Sequence, residues 1–302
     1  MKKIPLLAIA ILISSLLLLT PSFSQNQTHP QETTSDDYKI YRDFKDMEKP
    51  YQGPLPWEKD TVFLEAVKKN NTPVLMAAYK ATLHDPILSE AYNISLAAEH
   101  LAGTVVKPGE IFSQNNTIGP YARHRGYRDG PTYAGNHLVT TVGGGVCKIA
   151  TMLYNVVTFS DMQIVMRSSH SMIVPYVPPG QDATVYYGVR DFRFLNDTGA
   201  PVLIWSRKVG NSLFMTLYGS KKPPRVTWHH KVIKRAVFWT EYRFNPSLQP
   251  GTEKEVMPGM DGYIVKSWVT VEKPGGTVLT KDKGTSYYNA FPRIMERGPQ
   301  KG

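Results

Sequence analysis

The feature that most constrains this chain is a run of three glycines that leads into an amphipathic segment. The glycines are Gly143 to Gly145. A helix is predicted from the last of them, Gly145, to Phe159, and Cys147 lies in its first turn. Apolar residues recur at intervals of three and four, which is typical of a helix with one face on a core. They are Ile149, Met152, Leu153, Val156 and Val157.

Cys147 is the only cysteine of the 302 residues, so the chain cannot form an intrachain disulfide. The positive end of a helix dipole favours a thiolate. Glycine before the helix allows the backbone to come close to another group. These observations make Cys147 a candidate nucleophile. The alternative is that the thiol serves as a small buried apolar side chain.

The N-terminus has the pattern of a targeting segment. Lys2 and Lys3 precede an apolar run of 16 residues from Ile4 to Leu19, and small residues follow it. This pattern predicts a cleaved signal peptide over residues 1–24, and a retained membrane anchor is the alternative. We therefore expect a secreted or extracytoplasmic protein of the cell envelope, which contacts the membrane only through this segment if it is uncleaved.

The positive net charge of the chain limits the classes of partner that we expect. The net charge is +10, and removal of residues 1–24 takes away two lysines and no acid, which leaves +8. A basic exported protein suits anionic wall polymers or lipid head groups, although general solubility explains the charge equally well. Because the basic residues are scattered, we expect no nucleic-acid partner.

The patterning predicts an α+β fold, with helices packed on an antiparallel sheet. We expect a leader and irregular segment over residues 25–59, a central domain over 60–220, and a small all-β module over 225–298. Strands are predicted at 163–166, 171–177 and 183–187, and a hairpin at 202–207 and 212–218. Residues 111–141 are predicted to form a long, loop-rich stretch.

Two polar residues follow the cysteine at positions that suit nucleophilic catalysis. His170 and Asp182 fall on two successive predicted strands, which can place them side by side. Thiolate attack on a carbonyl needs a base and a group that orients it, and His170 and Asp182 are candidates for these roles. The alternatives are that His170 satisfies a buried backbone group and that Asp182 ends a turn. The order of helix cysteine, strand histidine and strand aspartate is that of transglutaminase-like cores. Asp191 is a second candidate for the orienting acid, and backbone amides after Gly145 are candidates for an oxyanion hole.

Short motifs between residues 108 and 196 occur in a fixed order. They are Pro108-Gly109-Glu110-Ile111-Phe112-Ser113, Ile118-Gly119-Pro120, Gly126-Tyr127, Gly143-Gly144-Gly145-Val146-Cys147, Leu153-Tyr154-Asn155, His170-Ser171, Tyr176-Val177-Pro178, Asp182-Ala183-Thr184-Val185 and Asp191-Phe192-Arg193-Phe194 with Asn196. Together they resemble the VanW family over about residues 90–220. The resemblance implies an exported, envelope-associated protein linked to peptidoglycan, without an assigned reaction.

Two details qualify the resemblance. The residue after the cysteine is commonly glutamine in this family, whereas this chain has Lys148. The tail after residue 258 is similar to glycine-containing β modules that follow VanW domains and that are thought to bind glycans or act as adhesins.

Two functions follow from these patterns. The first is a cysteine-dependent enzyme that acts on amide bonds of peptidoglycan peptides, with Cys147 as nucleophile, His170 as base and Asp182 as orienting acid. The second is a non-catalytic wall-binding or accessory protein linked to glycopeptide resistance. No cofactor is expected, and no close ligand spacing supports a metal site at Cys147 and His170. The residues predicted to contact substrate are Gly144, Gly145, Ser171, Tyr127 and Asp191.

Overall fold

A computed structural model describes residues 49–83, 86–134 and 137–301 of the chain. The predicted signal peptide and most of the predicted leader, residues 25–48, lie outside the described residues. The described helices are α1 (Thr61–Asn70), α2 (Leu88–Leu101), α3 (Gln114–Ile118) and α4 (Cys147–Phe159). The strands are β1 (Val74–Thr82), β2 (Thr104–Val106), β3 (Ile111–Ser113), β4 (Asp129–Ala134), β5 (His137–Val142), β6 (Gln163–Met166), β7 (Arg193–Leu195), β8 (Val202–Val209), β9 (Ser212–Gly219), β10 (Arg225–Ala236), β11 (Thr240–Phe244), β12 (Glu253–Met257), β13 (Gly262–Glu272), β14 (Val278–Tyr288) and β15 (Arg293–Arg297).

The predicted α+β class with a transglutaminase-like layout is wrong. The described chain is mostly β-structure, with 40% of it in strands and 18% in helices, and the strands form several small sheets. The two predicted strands at 171–177 and 183–187 are absent, because residues 167–192 hold no strand beyond one bridge between Tyr186 and Arg190. His170 and Asp182 therefore lie on an irregular segment and not on adjacent strands.

The central sheet has the order β1-β9-β8-β2 and is antiparallel throughout. Its hairpin β8–β9 confirms the hairpin predicted from the sequence. Helix α4 packs against β1 and β9, and every residue from Ile149 to Phe159 is buried. The predicted apolar stripe is therefore confirmed, and the residues between its members are buried as well.

The stretch 111–141 is more ordered than predicted. It contains β3, α3, a short 3-10 turn at Arg123–Arg125 and the hairpin of β4 and β5. This hairpin leads directly into the three glycines and then into α4. No helix among the described residues has both the length and the apolar character needed to cross a membrane.

The strands from β10 to β15, here called the C-terminal β segment (residues 225–297), form two three-stranded sheets. Their orders are β10-β13-β14 and β11-β15-β12, and β11 pairs with β15 in parallel. Trp228 and Val271 belong to the same core cluster as the apolar residues of α4. The ring centroids of Tyr154 and Trp228 lie 5.6 Å apart. The division predicted between residues 220 and 225 stays a prediction, and the elements on its two sides share a core.

The three glycines make a close backbone crossing. Gly143 and Gly145 have φ of +82° and +104°, a region that favours glycine. A Cβ on Gly144 would lie 2.3 Å from the carbonyl carbon of Gly130. The buried Asn93 side chain donates to the carbonyl oxygen of Gly144 at 3.0 Å and fixes the crossing from the other side. The glycines therefore set where α4 begins.

We expect Gly144→Ala to destabilise the protein by about 1–3 kcal/mol, because the added methyl group forces the two backbones apart. Denaturant unfolding measures this difference. Gly109→Ala is the comparison, since Gly109 has φ +76° with no atom near a Cβ, so any loss of stability there comes from backbone strain without a clash. An unchanged stability of Gly144→Ala would contradict the crossing.

Candidate functional site

Cys147, His170 and Asp182 lie together at the start of α4. Cys147 is the first residue of that helix, and its side chain lines the same cavity as His170, whose ring is close enough to shift the pKa of the thiol. The Nδ1 atom of His170 lies 2.7 Å from Oδ2 of Asp182. With Nδ1 engaged by the carboxylate, Nε2 is the ring nitrogen left for the thiol. The structure thus brings together the three residues that the sequence singled out.

Asp182 is fully buried, and both of its oxygens accept hydrogen bonds. Oδ2 accepts from the His170 backbone N–H and faces His170 Nδ1, each at 2.7 Å. Oδ1 accepts from Arg167 Nη2 at 3.0 Å and from the Tyr288 hydroxyl at 2.5 Å. These partners fix the carboxylate in one orientation, which in turn fixes the imidazole.

The pKa values of the three groups are shifted in directions that favour an ion pair. Burial raises the pKa of Cys147, but the hydrogen bond and charge of His170 outweigh it and lower the pKa to about 7. Burial lowers the pKa of His170, whereas the Asp182 carboxylate and then Cys147 raise it to about 9. Burial opposes ionisation of Asp182, yet His170 and Arg167 hold its pKa well below its usual range. These shifts favour a thiolate beside an imidazolium once the pH reaches about 7.

Further contacts hold the sulfur itself. The Sγ atom lies 3.2 Å from the hydroxyl of Thr184, which can donate to a thiolate, and 3.4 Å from the carbonyl oxygen of Val185, to which the protonated thiol donates. The amides of Val146 and Lys148 donate within the glycine turn, to the carbonyl oxygens of Gly143 and Gly145. Among the amides considered for an oxyanion hole, these bonds leave that of Cys147 as the candidate.

Cys147 opens onto a cavity of about 600 Å³. Its wall is mainly apolar and includes Leu83, Met172 and Val174. Lys148 also lines it and forms a partly buried ion pair with Glu90, so these two charges compensate each other. A cavity of this size with a nucleophile at its wall suits a ligand of small-molecule or short-peptide size.

The residues predicted to contact substrate divide into two groups. Gly145 and Ser171 line the cavity. Gly144 is packed on Gly130, and the buried Tyr127 donates its hydroxyl to the carbonyl oxygen of Ile118 at 3.1 Å. Asp191 is also bonded elsewhere. Its oxygens accept from Ser113 Oγ, the Asn115 amide and Arg193 Nε, at 2.6, 3.0 and 2.7 Å.

Asp191 therefore supports the start of α3, whereas Asp182 is the carboxylate that lies beside the imidazole. Sequence reasoning did not find Arg167, Thr184 or Tyr288. Arg167 lies only three residues before His170, but an arginine at that spacing does not by itself predict a contact with Asp182. Tyr288 is 106 residues from Asp182 and carries no local signal. In the part of the chain that the structure describes, no three His, Cys, Asp or Glu side chains are grouped to hold a metal ion.

Comparison with known proteins places the site in a family domain. Residues 89–218 match the family model described as VanW like protein. The resemblance stated from the sequence is therefore confirmed for these residues, which include Cys147, His170 and Asp182.

Two curated relatives match a similar share of the chain. The uncharacterized protein YoaR of Bacillus subtilis is 45% identical over 132 residues, which is 44% of this chain and 44% of the relative. The vancomycin B-type resistance protein VanW of Enterococcus faecalis is 30% identical over 141 residues, which is 45% of this chain and 51% of the relative. The chain thus spans about half the length of the curated relatives it matches.

A solved structure of an IgA1 protease G5 domain matches part of this chain with 27% sequence identity. The match covers 28% of this chain and all of that domain. Its TM-score is 0.18. A TM-score this low does not establish a shared fold or function.

We expect alkylation of Cys147 by iodoacetamide to reach half its maximal rate near pH 7. The thiolate is the reactive form, so the rate follows the ionised fraction of the thiol, which is one half at the pKa and falls as the pH decreases. In His170→Ala the thiol is still buried but has lost the imidazole that lowers its pKa, so the midpoint of alkylation moves above pH 9. Mass spectrometry follows the adduct, and Cys147→Ser is the blank, since the chain has one cysteine. A wild-type midpoint at pH 9 would contradict the ion pair.

Proposed function

Because residues 89–218 form a VanW-like domain, we propose that this protein is an accessory protein of the cell envelope that takes part in resistance to glycopeptide antibiotics. A relative named for vancomycin B-type resistance supports this proposal. The signal-like segment and the net charge, which is +10 for the chain and +8 without residues 1–24, support an exported protein that meets anionic wall material. Peptidoglycan is the proposed partner, and the resemblance of the tail to glycan-binding modules agrees with it.

We propose further that the VanW-like domain carries out a cysteine-dependent reaction on an amide bond of a peptidoglycan peptide. One observation carries this proposal, namely that Cys147 and His170 share the wall of a cavity of about 600 Å³ while the buried Asp182 is bonded to the His170 ring behind it. A thiol whose only task is packing does not need a histidine and a buried carboxylate behind it.

The proposed reaction begins with attack of the Cys147 thiolate on the carbonyl carbon of the amide. A carbon–sulfur bond forms, and the carbonyl oxygen takes up the negative charge near the first turn of α4. His170 then gives its proton to the amide nitrogen as the carbon–nitrogen bond breaks, which releases an amine and leaves a thioester.

The second half of the reaction frees the enzyme. Water or a second amine attacks the thioester, and His170 takes the proton of that nucleophile as the thiolate leaves. Asp182 stabilises the imidazolium in both halves and keeps Nδ1 protonated, so that Nε2 faces the sulfur. With water the net reaction is hydrolysis, and with an amine it is transpeptidation.

The test is incubation of the purified protein with muropeptides of the native wall. We expect an adduct on Cys147 that hydroxylamine removes, as a thioester requires, together with a released amine, both detected by mass spectrometry. Cys147→Ser loses the adduct and slows amine release by about a thousandfold or more, because the nucleophile of a cooperating set is removed.

The same variant separates reaction from binding in the native organism. If Cys147→Ser folds, binds the wall and restores vancomycin tolerance to a strain that lacks the protein, the reaction is refuted and the accessory role stands. If the variant binds the wall but fails to restore tolerance, the reaction accounts for the phenotype.

A further inference from the structure

The end of strand β14 contacts the segment that carries His170 on both sides of that residue. Ser286 accepts from Arg167 Nη1 at 2.9 Å, and the backbone amide of Asn289 donates to the Ser171 carbonyl oxygen at 2.7 Å. Tyr288 lies between these two and reaches Asp182 itself. All three belong to the C-terminal end of the chain, outside the matched family domain.

The Tyr288 hydroxyl has two bonds that together define its orientation. It accepts from the backbone N–H of Gly180 at 2.7 Å and donates to Asp182 Oδ1. A hydroxyl has a single proton to donate, and of these two partners only the carboxylate can accept it. Burial and the Asp182 charge raise the pKa of Tyr288 well above its ordinary value, so the hydroxyl stays protonated over the working range.

The surroundings of Gly180 hold this arrangement rigid. Gly180 has φ +97°, and a Cβ there would lie 2.1 Å from the Ser267 hydroxyl on β13. The next residue, Gln181, is hydrogen-bonded through Nε2 to His230 Nε2 at 2.9 Å, and His230 Nδ1 lies 3.0 Å from Ser267 Oγ. Strands β10, β13 and β14 therefore all contact residues 180–182.

We propose that Tyr288 is a positioning residue for the reaction proposed above, and that the C-terminal β segment is thereby part of the reaction centre. The inference rests on that proposed function. Tyr288 fixes Asp182 Oδ1, the carboxylate fixes the imidazole, and the imidazole holds the sulfur as thiolate. Tyr288 touches neither the sulfur nor the cavity wall and acts through Asp182.

The test compares Tyr288→Phe with Tyr287→Phe in the full chain. Tyr287 is the neighbouring residue on β14 and is exposed, so it controls for loss of a tyrosine hydroxyl from the same strand. We expect Tyr288→Phe to raise the midpoint of Cys147 alkylation by about one pH unit. The rate at pH 7 then falls about fivefold, and the rate at pH 10 is unchanged, because the thiol is ionised there in both proteins. Tyr287→Phe keeps the wild-type profile.

A role confined to stability lowers the melting temperature without moving the midpoint, so Tyr288→Phe with a wild-type midpoint overturns the inference. If Tyr288→Phe does not fold, Ser286→Ala decides. It loosens Arg167 from the same strand and should move the midpoint in the same direction, and an unmoved midpoint overturns the inference. A wild-type midpoint near pH 9 instead refutes the proposed reaction, so the two failures are distinguishable.

Discussion

The structure around the candidate site depends on one buried carboxylate, that of Asp182. Moving an ionised carboxylate out of water costs several kcal/mol unless partners replace its hydration. Here a backbone amide, an imidazole, a guanidinium and a phenol do so, and they come from Arg167, His170 and Tyr288. Each of these groups must sit within hydrogen-bond distance of one side chain. That requirement brings the segment after β6 and the end of β14 to the same point.

The same requirement explains why residues 167–192 are irregular although their composition predicts strands. The backbone amide of His170 is bonded to a carboxylate and not to a neighbouring strand. Prolines at 175, 178 and 179 remove further ladder donors. The side chain of Thr151, on α4, bonds both the amide and the carbonyl oxygen of Ala183, each at 3.0 Å. Side chains thus take the place that a strand partner has in a sheet.

Periodicity therefore predicted the elements whose bonds are local or repetitive, such as α4 and the hairpin of β8 and β9. Residue type and order, not periodicity, singled out Cys147, His170 and Asp182, which the structure places together. Prediction from sequence patterns failed where the hydrogen bonds of a single side chain determine the path of the backbone. The glycines before α4 illustrate the limit, since they do allow a close approach, but to the backbone of Gly130. Lys148 stands where the resemblance predicts glutamine, and its ion-pair partner, Glu90, could not be identified from the sequence alone.

The matched family domain ends at residue 218, whereas a hydrogen-bond donor to Asp182 comes from residue 288. The domain as defined by sequence similarity therefore lacks one of the groups that satisfy its own buried carboxylate. A buried acceptor that loses a donor costs about 1–3 kcal/mol, and more when it is charged. A VanW-like domain followed by a different segment must fill that position with another donor or with water. The segment that follows the domain is thus a determinant of how firmly Asp182, and through it His170, is held.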